Sequence, residues 1–169
     1  MPNMFIREAK QEELPLIRQQ RVEAYREHQK AINNDHWQAL KQSITSDADQ
    51  GPGVELMVAE LEGEIAGSVA LFPANIDVYD GKVDELDYPE IRVLAVAPDA
   101  RGKGVASALI DACIQRAKQK DYDYIGLHTG SFMKGAIKLY ERLGFERLPQ
   151  YDFEPANDGI IVKAFQRQL

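Results

Sequence analysis

Residues 101–106, with the sequence RGKGVA, constrain the fold more than any other segment. They follow a nearly continuous apolar run at 91–96, which is typical of a strand covered on both faces. They precede a segment whose apolar residues recur at helical spacing to about Lys120. A buried strand, a two-glycine turn and an amphipathic helix in succession predict an α/β protein, because this order forms half of a strand-helix-strand crossover.

Apolar periodicity predicts the remaining elements. Strands are expected at 5–8, 56–61, 65–72, 124–128, 145–147 and 160–165, and helices at 11–30, 35–44 and 132–143. The strands at 91–96 and 124–128 flank one helix and should therefore lie parallel. The 169 residues contain no linker, which indicates a single domain over 1–169.

Turn and cap residues set the expected boundaries. Glu62 and Gly63 should close a hairpin between the second and third strands. Asp35 and Ser131 are candidate N-caps, because their side-chain oxygens can accept a hydrogen bond from the first helical turn. Gly144 should end the last helix, since glycine adopts the left-handed conformation that helix ends favour.

Composition excludes several classes of function. The net charge of −7 and the absence of a basic face argue against nucleic acid as a partner. The single cysteine, Cys113, is expected in the core and suits a reducing, cytoplasmic compartment. The three histidines form no metal-binding motif, so no metal is expected. No apolar run approaches the roughly 20 residues of a membrane span, and residues 1–10 lack a leader pattern.

The glycine turn has the composition of an anion site. Two glycines allow a ligand to approach the backbone, and the first N–H groups of the next helix are free donors. A Walker P-loop is excluded, because Gly104 follows Lys103 where that motif needs Ser or Thr. A dinucleotide-binding fingerprint is disfavoured by Ser107 at its third glycine, and by His128 and Thr129 where an acidic residue is required.

The segment 90–145 resembles the GNAT superfamily of N-acetyltransferases. Arg101, Gly104 and Ala106 match its signature of Arg or Gln, two residues, Gly, one residue, then Gly or Ala. A strand of the family's type precedes the signature at 90–98, and the family's closing block, LYERLGF, follows at 139–145. These blocks span about a third of the chain.

The resemblance implies an α/β fold with a mixed, mostly antiparallel sheet of six to seven strands, a central splayed parallel pair and about four flanking helices. It also implies acetyl-coenzyme A (acetyl-CoA) as co-substrate, with its pyrophosphate on the glycine turn and its pantetheine arm along the preceding strand. Met133 replaces an Asn that contacts this arm in many relatives, so Ser131 or Thr129 is expected to supply a polar contact. The cofactor-binding residues are then Leu94, Ala95, Val96, Arg101, Gly102, Lys103, Gly104, Val105, Ala106 and Ser131.

The implied activity is acetyl transfer to a primary amine by direct attack in a ternary complex. Glu90 corresponds to the general base, a role that requires a partly buried carboxyl with a raised pKa. Tyr140 corresponds to the general acid that protonates the leaving thiolate, and a backbone N–H near Val96 would hold the oxyanion. Without the resemblance, Glu90 is equally interpreted as a solvated carboxylate and Tyr140 as a core aromatic.

The acceptor is constrained only by charge. Residues 74–90 contain six acidic side chains and one lysine, which would attract a polyamine, an aminoglycoside or a peptide lysine; a merely solvated loop is the alternative. A small-molecule or peptide amine is therefore the expected partner, without a membrane, and relatives are often homodimers. The alternative function is a non-catalytic acyl-CoA binding or sensing module, in which Glu90 and Tyr140 are structural.

Overall fold

The computed structural model describes residues 3–75 and 86–169. Within them, seven strands form one sheet in the order β1-β2-β3-β4-β5-β7-β6. The strands are β1 (Met4–Glu8), β2 (Glu55–Leu61), β3 (Glu64–Phe72), β4 (Glu90–Val96), β5 (Tyr124–Gly130), β6 (Glu146–Arg147) and β7 (Val162–Gln168). The α-helices are α1 (Leu14–Tyr25), α2 (Asn34–Ile44), α3 (Val105–Gln119) and α4 (Lys134–Arg142). Only β4 and β5 pair in parallel, so the expected mixed sheet is confirmed.

Two turns form as their residue types predict. Glu62 and Gly63, at φ 53° and 83°, join β2 to β3 in the left-handed conformation that tight hairpins need. Gly144, at φ 93°, ends α4, and the Phe145 N–H donates to the Tyr140 carbonyl at 3.0 Å. This hydrogen bond is the signature of a Schellman motif, which satisfies carbonyls at the end of a helix.

Both N-cap predictions are wrong. Asn33 caps α2, and its side-chain oxygen accepts the N–H of the third helical residue at 2.7 Å. Asp35 instead lies in the first turn, where its charge suits the positive end of the helix dipole. Ser131 does not cap α4, because a turn comes first and Met133 takes the cap position without a side-chain hydrogen bond.

The parallel pair at the centre of the sheet separates after a short contact. β4 pairs with β5 only at Glu90 and Ile91, although β4 continues to Val96. The register between β3 and β4 shifts next to this point, and Val93 adopts a φ of 51°. A bulge bends a strand, and a β-branched residue at positive φ is strained. The bulge at Val93 therefore turns β4 away from β5 and opens the sheet.

The helices cover both faces of the sheet. Val105 and Leu109 of α3 and Tyr140 of α4 belong to the larger core cluster on one face, and Leu14 and Ile17 of α1 belong to the smaller cluster on the other. The cysteine Cys113 is fully buried in the larger cluster, and burial raises its pKa to about 12. This agrees with the expectation of a core residue and makes the thiol unreactive in the folded chain.

The described part of the chain contains no membrane-spanning helix and no group of three candidate metal-ligating side chains. Its longest helix, α3, has 15 residues, and no helix there is long and apolar enough to cross a bilayer. Among the same residues, no group of His, Cys, Asp and Glu side chains is arranged to hold a metal ion.

Candidate active site

A cleft of about 730 Å³ opens where β4 and β5 diverge. Its walls come from β4 after its first residue, the end of β5, the glycine turn with the start of α3, and α4. Residues of α1, α2 and the segment before β7 close the opposite side. The cleft is therefore a direct result of the interrupted pairing in the middle of the sheet.

The glycine turn requires glycine for its backbone conformation. Gly102 and Gly104 have φ values of 77° and 81°, which L side chains rarely adopt. A Cβ added at either position would meet no atom within 4 Å. The space beside the turn is thus open to a ligand rather than filled by the protein.

The start of α3 presents a row of hydrogen-bond donors. Among the described residues, the backbone N–H groups of 102–107 have no hydrogen-bond partner. The first bond at this end of the helix runs from the Ala108 N–H to the Gly104 carbonyl, at 3.1 Å. Free amides combined with the positive end of a helix dipole form an anion site, and this one opens into the cleft.

The edge of β4 that faces β5 also carries free donors and acceptors. The Ala97 N–H points the other way and donates to the carbonyl of Ala66 in β3 at 2.8 Å. Successive strand residues alternate the direction of their amides, so the Val96 N–H points into the gap. An extended ligand can therefore pair with β4 as an additional strand.

Most of the predicted cofactor residues meet in this cleft. The wall includes Leu94, Ala95, Val96, Arg101, Gly102, Gly104, Val105, Ala106 and the predicted acid Tyr140. Lys103 belongs to the turn, but it is exposed and does not line the cleft. Ser131 and Glu90 do not belong to it either.

The side chain of Arg101 fastens the glycine turn to α1. Its guanidinium pairs with the Glu27 carboxylate and donates to the Ala24 carbonyl at 3.2 Å. Both partners line the same cleft. Arg101 therefore fixes the position of the turn relative to the opposite wall.

The two candidate polar contacts on β5 and its turn differ in position. Thr129 lines the cleft, and its hydroxyl donates to the Met133 sulfur at 3.3 Å. Ser131 instead uses its N–H to bind the Ile161 carbonyl at 2.8 Å, which ties the turn to the segment before β7. Of the two, only Thr129 lines the cleft.

Glu90 contacts His128, which belongs to the cleft wall, although Glu90 itself does not. Their side chains are only 4% and 1% exposed, and Glu90 Oε2 is 2.8 Å from His128 Nδ1. The other imidazole nitrogen, Nε2, is 3.0 Å from the Tyr151 carbonyl. Glu90 Oε1 is buried without a hydrogen-bond partner. The burial expected of a general base is present, but its partner was not expected, because the sequence assigned His128 no role.

Tyr140 lies in the last turn of α4 and lines the cleft. Its ring packs against the rings of Phe145 and Phe165, with centroids 6.0 and 6.5 Å away. Burial, and to a smaller extent the nearby Tyr25, raises the pKa of Tyr140. The phenol therefore keeps its proton at neutral pH while it faces the cleft.

The opposite side of the cleft is rich in rings. Phe132 contacts His28 and His36 edge-on, with centroids 5.5 and 5.9 Å apart. His36 Nδ1 is 2.8 Å from an Asp158 carboxylate oxygen, which connects α2 to the segment before β7. The acidic side chains that were expected to attract an acceptor fall mostly at 76–85, outside the described residues.

Comparison with known families decides the relationship of this chain. A family model described as the acetyltransferase (GNAT) family matches residues 14–145. The chain belongs to the GNAT family of acetyltransferases. The resemblance seen in the sequence is thus confirmed, and the matched region includes β4, the glycine turn and α4.

Other GNAT proteins resemble the chain in sequence and in fold. An uncharacterised N-acetyltransferase of Escherichia coli, YjgM, is 34% identical over 97 residues, which cover 57% of this chain and 54% of that protein. The chain spans about half or less of the length of the curated relatives it matches.

Two crystal structures share the fold over nearly the whole chain. A GNAT acetyltransferase from Staphylococcus aureus superposes with a TM-score of 0.72 at 16% identity, covering 99% of both chains. The PaiA N-acetyltransferase from Thermoplasma acidophilum, in complex with coenzyme A, gives 0.72 at 14% identity with the same coverage. At these identities the similarity establishes the GNAT fold.

Proposed function

We propose that this chain transfers the acetyl group of acetyl-CoA to a primary amine, by direct attack of the amine in a ternary complex. The observation that carries the proposal is the row of unused amides at 102–107, at the mouth of a cleft between two splayed strands. Family membership and the coenzyme A in the PaiA structure support the same ligand.

The residues fit the coenzyme by simple physical criteria. The N–H groups at the start of α3 suit a pyrophosphate, and Gly102 and Gly104 leave room for it. The free edge of β4 suits the amides of a pantetheine arm. The Val96 N–H lies along this edge, so a backbone donor there would stabilise negative charge that develops on the thioester carbonyl oxygen. Thr129 would provide a polar side chain near the arm.

Glu90 is proposed as the proton acceptor. An alkyl ammonium has a pKa near 10, so at neutral pH it must lose a proton before its nitrogen lone pair can attack. Glu90 Oε1 has no partner, and Glu90 does not belong to the cleft wall. The proton would therefore reach this oxygen through water.

Tyr140 is proposed as the proton donor to the departing thiolate. Its hydroxyl belongs to a phenol whose pKa is raised by burial, so the proton is present at neutral pH. A thiolate beside this buried phenol would be shielded from water on that side, which raises its proton affinity as well. Donation at this point completes the transfer and gives the free thiol of coenzyme A.

The first experiment measures thiol release and thermal stability together. Acetyl-CoA is incubated with the protein and a panel of primary amines that includes polyamines, aminoglycosides and lysine peptides. We expect amine-dependent thiol release, and a melting temperature that rises with acetyl-CoA but not with NAD or ATP. Tight binding of acetyl-CoA without turnover on any amine would contradict the enzyme and favour the sensing module. Equal thermal shifts from all three ligands would contradict the assignment of the anion site.

A further inference from the structure

The contact between Glu90 and His128 fixes the position of a proton. A backbone carbonyl only accepts hydrogen bonds, so the 3.0 Å contact from Nε2 to the Tyr151 carbonyl requires a proton on Nε2. A neutral imidazole carries its proton on one nitrogen only, which leaves Nδ1 with a lone pair. Two lone pairs do not form a hydrogen bond at the 2.8 Å between Nδ1 and Glu90 Oε2. A second proton must therefore lie between Glu90 and His128.

This shared proton determines when Glu90 can act as a base. With the proton present, the pair has no net charge, whether it is written as acid and imidazole or as carboxylate and imidazolium. A further proton would leave one positive charge in a site where the two side chains are 4% and 1% exposed. Burial of an unpaired charge is strongly unfavourable. The state that can accept a proton is therefore the pair that has lost its shared proton and carries one negative charge.

We propose that Glu90 and His128 act as one proton-accepting unit, in which His128 is a positioning residue that sets the pH range over which Glu90 can take the proton of the amine. This inference rests on the proposed function. It goes beyond it, because it gives a role to a histidine that the family signature does not include.

The proton transfer balances in atoms and charge. The ammonium of the acceptor loses one N–H proton, and the electron pair of that bond stays on nitrogen as the attacking lone pair. The pair gains this proton through Glu90 and passes from one negative charge to none. The carboxyl of Glu90 then turns to present this proton to Nδ1, so the proton occupies the hydrogen bond between the two side chains, which is the arrangement that the structure contains.

Asp152 and Tyr88 are ionisable side chains near the pair, and each keeps one charge state near neutral pH. Asp152, next in the chain to Tyr151, is held by the Arg147 guanidinium at 2.6 and 2.8 Å, which keeps the pKa of that carboxyl low. The hydroxyl of Tyr88 bonds to Gln166, and burial raises its pKa, so it stays neutral.

Two further neighbours among the described residues are Arg92 and Phe153. Arg92 lies two residues along β4 and has its guanidinium over the ring of Phe72, 5.1 Å from the centroid. The ring of Phe153 packs against His128, with centroids 5.5 Å apart. The first of these side chains is cationic and the second is apolar.

Two substitutions of His128 should move the pH dependence in opposite directions. In His128→Asn, the side-chain amide can replace Nδ1–H as a permanent donor to Glu90. This stabilises the carboxylate, so the acid limb of kcat/KM against pH should move to lower pH. In His128→Phe, Glu90 is buried without a partner, so the limb should move to higher pH. Shifts of about 1 pH unit or more are expected, because hydrogen bonding and desolvation typically act on this scale.

The comparison can overturn either claim separately. Suppose that both variants turn over, and that the acid limb of kcat/KM is unchanged or moves in the same direction in both. This result would overturn the role of His128 and leave the proposed function intact. Absence of turnover in the natural protein would overturn the proposed function itself. Melting temperatures of both variants serve as the control for folding.

A second measurement does not depend on turnover or on variants of His128. Nitrogen-15 spectra of the histidine rings, recorded from about pH 5 to about pH 9, report the protonation of each nitrogen. We expect Nε2 of His128 to stay protonated throughout, and Nδ1 to titrate at a pH that changes in Glu90→Gln. A titration of His128 that is unchanged in Glu90→Gln would overturn the coupled pair.

Discussion

The two ends of β4 serve the site in different ways. At its start, Glu90 pairs with a side chain from β5, and both groups are buried. At its end, the glycine turn contributes backbone amides, and the Lys103 side chain there is exposed. The first end depends on which side chains meet, and the second on the path of the main chain.

This difference has a consequence for mutation. A change at the start of β4 should alter the chemical step and leave coenzyme binding intact. A change in the glycine turn should alter binding and leave the chemical step intact. If the two ends are not separable in this way, the division of roles is wrong.

The largest effect is expected for Glu90→Gln. Loss of the proton acceptor should lower kcat by about 10²- to 10⁴-fold, the range usual for a general base, with little change in the dissociation constant of acetyl-CoA. Steady-state kinetics and isothermal titration measure the two quantities. Glu64→Gln, at the exposed start of β3, is the control and should change neither. Weaker binding with unchanged kcat would reverse the roles of the two ends.

Tyr140→Phe should have the next largest effect. It removes only the hydroxyl proton, so kcat should fall by about 10²-fold if protonation of the thiolate limits the rate. Tyr124→Phe on β5, which is 38% exposed, is the matched control. An undiminished kcat in Tyr140→Phe would make this tyrosine a core aromatic, as its residue type alone suggests.

Gly104→Ala tests the other end of β4. A side chain at φ 81° is strained by about 1–2 kcal/mol, so the turn should relax and acetyl-CoA should bind roughly 10-fold more weakly. Gly63→Ala is a close control, because Gly63 has a φ of 83° and equally open surroundings in the distant β2–β3 hairpin. Both variants should lose similar stability. A similar loss of binding in Gly63→Ala would show that the effect is global.

The smallest expected effect is the pH dependence of stability that comes from the pair of Arg7 and Glu13. It tests whether a loss of activity at low pH is simply a loss of folding. The Arg7 guanidinium lowers the pKa of Glu13 from 4.5 to about 2. Because the folded pKa is depressed, this pair stabilises the fold fully above about pH 4.5, and its contribution disappears as the pH falls towards 2. Urea denaturation at several pH values should show this loss, and Arg7→Gln should flatten it. An acid limb of activity at neutral pH is therefore not caused by loss of this pair.

The sequence predicts the glycine turn at the end of β4 better than the contact of Glu90 with His128 at its start. The glycine turn, the hairpin at Gly63 and the end of α4 at Gly144 follow from residue types with strong local preferences. Glu90 and His128 lie 38 residues apart, and their contact depends on the register of two parallel strands. Local preferences do not determine that register, so the partner of Glu90 was not predicted.

Other features carry no local signal at all. Val93 has a φ of 51° although it belongs to an apolar, β-branched run that favours regular strand. Val93 packs against the smaller core cluster, and no residue type in the sequence predicts its conformation. The N-cap of α2 was predicted two residues too late. Asn33 and Asp35 are both good caps by residue type, and only the local backbone selects between them.

The seam between β4 and β5 also affects the dynamics of the molecule. Two residue pairs join a four-stranded part, β1 to β4, to a three-stranded part, β5 to β7. Amide protons along this seam lack the cooperative protection of a full ladder, so they should exchange with solvent sooner than those inside either part. A ligand bound between β4 and β5 would supply the missing hydrogen bonds and slow this exchange. Ligand binding would therefore also make the centre of the sheet more rigid.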